Sequence, residues 1–231
     1  MVSADNKWLL LAERIVDEWA EITFPRPVVA LDGYEQSDGC YWCGGGEEST
    51  MPCPCGNRRM AWLRTFRLGE YESPLAECIC RGKYSAWLMM LEHLGLELGE
   101  RIRGCVPPNS ILVPIPMPFI RRYFRRVDHT GVLTKYVSQA SGIPIRRALW
   151  RKESAPQAGM TAAQRQKMRR NCMLLRPFPR IKGKNAILID DVLTTGTTLE
   201  VAANKLKMAG VASVRVGVLA VTKRPKKGKK L

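Results

Sequence analysis

The run Ala186 to Glu200, AILIDDVLTTGTTLE, constrains this chain more than any other stretch. Four apolar residues, Ala186 to Ile189, come first. Two carboxylates follow, Asp190 and Asp191, and then the small-residue turn Thr194-Thr195-Gly196-Thr197-Thr198. A short apolar run between polar residues predicts a strand buried on both faces. Leu199, Ala202, Ala203, Leu206 and Ala209 then recur at helical spacing, and Gly210 stands where that helix should stop. The order is strand, acid pair, loop, helix.

That order has a chemistry. A loop between a strand's carboxyl end and a helix N-terminus presents backbone N–H groups and the positive end of the helix. Phosphate binds well there. Gly196 lets the backbone approach it closely, and the threonine hydroxyls add donors. Asp190 and Asp191 can accept hydrogen bonds from vicinal sugar hydroxyls or hold a hydrated Mg²⁺. A phosphate grip beside a diol grip describes a ribose 5-phosphate site. No Gly-Lys-Ser/Thr follows the glycine, so this is not a Walker loop.

Elsewhere the pattern predicts an α/β domain. Ile111 to Pro116 is a second buried strand ended by prolines, and Val214 to Val221 a third. Residues 84–100 and 131–140 are predicted as helices, the second closed by Gly142. Trp62 to Tyr71 has mixed character and is expected to form a hairpin. Arg121, Arg122, Arg125 and Arg126, just past the second strand, can grip a pyrophosphate with forked hydrogen bonds. Thr161 and Gln164 form a capping box, which starts a helix at Ala162. The segment Glu153 to Met160, with Pro156 and Gly159, has little to bury and is read as a mobile loop.

Six of the eight cysteines lie between Cys40 and Cys80. The pairs Cys40/Cys43 and Cys53/Cys55 can make a closed tetrahedral thiolate site for a structural Zn²⁺, and Cys78 or Cys80 could replace one ligand. Residues 7–22 form an amphipathic helix ended by Pro25 and Pro27. The organisation expected is residues 1–60 for helix and zinc knuckle, 61–222 for the α/β domain, and 223–231 for a basic tail.

The same residues carry a family resemblance. Ile187 to Leu199 resembles the phosphoribosyl pyrophosphate (PRPP) loop of type I phosphoribosyltransferases. The arrangement of knuckle and domain is similar to the ComF family. Pro74-Leu75 with Lys83-Tyr84, Val113-Pro-Ile-Pro116 with the arginines, and Gln157-Ala-Gly-Met160 with Arg165 resemble further stretches of that family. The resemblance implies a type I phosphoribosyltransferase core, a mainly parallel sheet with helices on both faces. It implies Mg²⁺-dependent PRPP binding with the 5-phosphate on Thr194 to Thr198 and the ribose on Asp190 and Asp191. Pyrophosphate would leave toward Lys83, Arg121 and Arg122, and Gln157 and Arg165 would belong to a loop that closes over the site. Members of the family are linked to DNA uptake in natural competence. The chain departs from the family at Asp128 and His129, where Asn and Gln are usual, and at Met168 in place of an Asn.

The net charge of +16 points to polyanionic partners, either a phosphate-rich substrate or nucleic acid such as single-stranded DNA. Six of those charges sit in the tail, on Lys223, Arg224, Lys226, Lys227, Lys229 and Lys230. DNA-uptake proteins are the alternative class of partner. No apolar run has the length of a membrane span, and the expected location is the cytoplasm.

Overall fold

The computed structural model describes residues 60–82, 88–117, 128–151 and 173–222. The expected N-terminal helix, the cysteines expected to bind zinc (Cys40, Cys43, Cys53 and Cys55) and the basic tail lie outside them. So do Lys83, Arg121, Arg122, Gln157 and Arg165.

Four strands make one parallel sheet. They are β1 (Thr65–Glu70), β2 (Ser110–Pro114), β5 (Asn185–Leu193) and β6 (Ser213–Val221), in the order β1-β6-β5-β2. A short antiparallel pair, β3 (Leu149–Arg151) and β4 (Met173–Leu175), stands apart, with Arg151 opposite Met173. The helices are α1 (Leu75–Arg81), α2 (Leu88–Ile102), α3 (His129–Ser141) and α4 (Thr197–Met208).

The sheet is covered on both faces, which is why its middle strands read as unbroken apolar runs. Successive side chains of β5 alternate between those faces. Ala186 and Leu188 join a buried cluster with Leu199, Ala202, Ala203 and Leu206 of α4. Ile187 and Ile189 face the other way. A methyl group on Gly217 of β6 would meet Ile189 at 2.9 Å and Ile102 of α2 at 3.2 Å, so the strand there needs a glycine. Buried leucines of this kind each stabilise by about 2 kcal/mol relative to exposure. No helix of the described residues is long and apolar enough to cross a membrane.

Helices α2 and α3 pack together through glycine. A Cβ on Gly99 would lie 2.6 Å from the Ala140 Cβ and 2.8 Å from the Val137 carbonyl; one on Gly95 would lie 2.8 Å from the Tyr136 Cβ. Helix α3 ends as its sequence predicts, on Gly142 in the left-handed region at φ 74°.

The hairpin expected over Trp62 to Tyr71 does not form. The segment is a single edge strand, β1, paired parallel with β6 from Thr65↔Val216 to Glu70↔Val221. Thr65, Phe66 and Leu68 are all buried. A strand covered on both faces needs no antiparallel partner, and the stretch has no tight-turn dipeptide to reverse it.

Candidate functional site

In an open parallel sheet the carboxyl ends of the strands form one rim, where ligands bind. Here that rim gathers Tyr71 after β1, Pro114 to Pro116 at the end of β2, Asp190 to Leu193 of β5, and Thr222 after β6. The rim is tied together by the backbone. Ile115 N–H donates to the Ile189 carbonyl, Tyr71 N–H to Val221, and Thr222 N–H to Leu193, at 2.9, 2.9 and 3.0 Å.

Strand β5 runs four residues further than its apolar core suggests. Asp190 pairs with Val218 and Val192 with Ala220, so both acids sit inside the ladder. Each has one oxygen on the backbone: Asp190 Oδ1 accepts from Asp191 N–H at 2.9 Å, and Asp191 Oδ1 accepts from Val192 N–H at 2.7 Å. Strand alternation sends the two side chains to opposite faces. A diol touching both must therefore lie across the strand's end.

Asp191 shares the face of Ile189, and there it meets α3. His129, the first residue of α3, is buried, and its Nε2 stands 3.7 Å from Asp191 Oδ2. Asp128 caps the same helix by accepting from Gly131 N–H at 3.1 Å, and it lies 3.7 Å from Arg147. Of the two departures from the family pattern, His129 thus faces the acid pair, while Asp128 caps the helix that carries it. Tyr71 hydrogen-bonds Cys80 Sγ at 3.2 Å. That bond holds the pKa of its phenol above the ordinary value, with burial and the negative charges of a Cys80 thiolate and of the Asp191 carboxylate adding to the effect. Sequence reasoning gave no role to Tyr71, because nothing local links it to residues more than a hundred positions away.

The loop after β5 has the geometry of an anion grip. Thr194 and Thr195 are exposed, and Gly196 turns the chain at φ 73° to start α4. Only glycine takes that conformation without a steric cost. Thr195 Oγ1 lies 3.1 Å from Thr197 Oγ1, so the hydroxyls cluster over the helix's first N–H groups. Glu200 stands in the same first turn, where its Oε2 accepts from Ala61 N–H at 3.1 Å. That contact ties the chain just upstream of β1 to the turn that carries the threonines.

Among the described residues no cluster of three or more His, Cys, Asp or Glu could hold a metal by itself. The acid pair fits a different mode, since Mg²⁺ keeps several waters and takes one or two carboxylates together with substrate phosphates. Cys78, open in the sequence as a thiolate ligand, is buried in α1, and burial pushes its thiol up. Its side chain is part of the buried core.

The phosphoribosyl transferase domain family matches residues 104–231. Competence protein F of Haemophilus influenzae is 28% identical over 199 residues, which are 78% of this chain and 84% of that protein. DNA utilization protein YhgH of Escherichia coli K12 is 28% identical over 205 residues, 79% of this chain and 84% of that protein. Among solved structures, a purine phosphoribosyltransferase from Pyrococcus horikoshii aligns with a TM-score of 0.38 and 18% identity, over 59% of this chain and 78% of that one.

Proposed function

Because this chain belongs to the phosphoribosyl transferase domain family, as a protein of the ComF type, we propose that it binds PRPP with Mg²⁺ at the carboxyl rim of the sheet. The observation that carries the reading is the turn at Gly196. It stands between an acid pair held in the strand and a helix start crowded with hydroxyls. The 5-phosphate lies on Thr194 to Thr198, where backbone N–H groups and the helix dipole favour an anion. Asp190 and Asp191 accept from the ribose hydroxyls across the end of β5. His129 holds the Asp191 carboxylate from the α3 side.

Mg²⁺, when bound, neutralises charge on the pyrophosphate. The protein's own part is positioning and the shielding of an oxocarbenium-like centre. Pro114 to Pro116 line the rim on the side from which the pyrophosphate leaves, and Lys83, Arg121 and Arg122 receive it. Calorimetry with PRPP and Mg²⁺ tests the reading. The parent protein is expected to bind with measurable heat and Asp190→Ala at least tenfold more weakly. An absence of heat in the parent ends it.

A second reading, handling of single-stranded nucleic acid, is supported by the names of the two relatives and by the net charge of +16. The two are compatible, since a phosphoribosyl site on one rim leaves other surfaces available. Binding of single-stranded DNA that weakens steeply with salt supports this reading. Its absence removes it.

A further inference from the structure

The segment Arg176 to Lys184, reading RPFPRIKGK, leads from β4 into β5 and takes no part in the rim described above. It is fixed to the fold along its length. Arg176 N–H donates to the Ala148 carbonyl at 2.8 Å and its Nε to the Leu149 carbonyl at 3.3 Å. Ile181 is buried, and Gly183 N–H donates to the Gly210 carbonyl at 2.8 Å. Between those anchors Phe178 is 92% exposed.

Two costs accompany that exposure. A phenylalanine ring in water forfeits the burial that aromatic side chains normally gain. Phe178 and Arg180 also both sit at φ 48°, a region that bulky residues avoid, and Phe178 does so directly before a proline, which favours extended backbone. Conformations of this kind persist where the surrounding structure imposes them, and they gather at binding sites.

Cations flank the ring along the segment. Arg176, Arg180 and Lys182 are exposed, and Lys184 lines a cavity of about 320 Å³ together with Arg146. Lys184 donates to the Asn109 side chain there. Between Asp128 and Asp190 the sequence has a single acid, Glu153. A track of cations around one projecting aromatic ring matches an unpaired strand, whose phosphates meet the charges while a base stacks on the ring. Duplex DNA is a poorer match, because a lone ring on a loop offers nothing to a paired base edge.

We propose that Phe178, with Arg176, Arg180, Lys182, Lys184 and Arg146, forms a docking surface for single-stranded nucleic acid, separate from the rim of Asp190 and Thr194 to Thr198. The inference rests on the nucleic-acid reading above and assigns it a surface.

Fluorescence anisotropy with a labelled oligothymidylate of about 20 nucleotides, enough to fill the site sizes typical of such grooves, tests it on the full chain. An oligouridylate of equal length separates DNA from RNA as the natural strand. Phe178→Ala is expected to weaken binding about tenfold or more, the loss of one stacked base, with the salt dependence unchanged. Arg180→Gln with Lys182→Gln is expected to flatten the slope of log affinity against log salt by about 1.4, two phosphate contacts on a single strand. Both variants should keep the parent's thermal stability, and a chain lacking residues 223–231 should show the same Phe178 effect. Parent-like affinity in both variants overturns the surface while leaving nucleic-acid handling in place. No oligonucleotide binding by the parent removes both. Phe178-dependent binding to phosphatidylserine vesicles, with none to the oligonucleotide, overturns the proposal in favour of a membrane contact.

Discussion

At φ 73°, Gly196 holds a conformation that an L side chain occupies only at a cost of about 1–2 kcal/mol. Gly196→Ala should lower the melting temperature by a few degrees and weaken PRPP binding at least tenfold, since the strained turn no longer aims the Thr197 and Thr198 N–H groups. Thr194→Ala removes only an exposed hydroxyl, so it should weaken PRPP binding without moving the melting temperature; scanning fluorimetry beside calorimetry reads both. Cys78 is buried and its thiol pushed up chiefly by that burial, whereas Cys80 is exposed. The thiolate is the reactive form. Iodoacetamide at mildly alkaline pH should therefore label Cys80 well before Cys78, as read by peptide mass spectrometry, and equal labelling would contradict the packing of α1. The sign for stability follows. The folded state prefers the neutral Cys78 thiol, so stability declines as pH rises past the pKa of the unfolded thiol.

At the scale of elements, the seam between α2 and α3 matters most, because α3 carries His129 to Asp191. Gly99→Ala places a methyl 2.6 Å from the Ala140 Cβ and 2.8 Å from a backbone oxygen. Overpacking of this sort costs about 1–3 kcal/mol. Urea unfolding should show that loss, and PRPP affinity should fall with it as α3 is pushed from the acid pair. Gly142→Ala at φ 74°, with nothing within 4 Å of the added methyl, should cost stability through backbone strain and leave PRPP affinity at the parent value. The elements were unevenly legible in the sequence. β2, β5 and β6 are apolar runs because both faces of a parallel sheet are covered, and their reading needs no partner. β1 was misread because Arg67 and Glu70 break the apolar pattern of an edge strand, and its partner β6 lies about 150 residues away. The loop of Thr194 to Thr198 was legible since glycine, hydroxyls and helix start are contiguous. The approach of His129 to Asp191 was not, because only the packing of α3 on the sheet joins residues so far apart.

The whole molecule combines a phosphoribosyl transferase domain, a cysteine-rich segment before it and a strong excess of positive charge. For the cysteines, the expectation of a structural zinc on Cys40, Cys43, Cys53 and Cys55 predicts one Zn²⁺ per chain by metal analysis of protein purified without chelator; no zinc would contradict it. Glu200 links Ala61, just upstream of β1, to the turn after β5 through its bond to the Ala61 N–H. Glu200→Gln keeps the acceptor and should leave both stability and PRPP affinity near the parent values. The central claim is that the turn after β5 grips the 5-phosphate of PRPP. Its most direct measurement is the amide spectrum of the isotope-labelled protein during titration with PRPP and Mg²⁺. The account predicts that the Gly196, Thr197 and Thr198 amides move most and saturate with the binding heat, and that ribose 5-phosphate alone moves the same three. Binding that leaves those amides in place and perturbs others would contradict it.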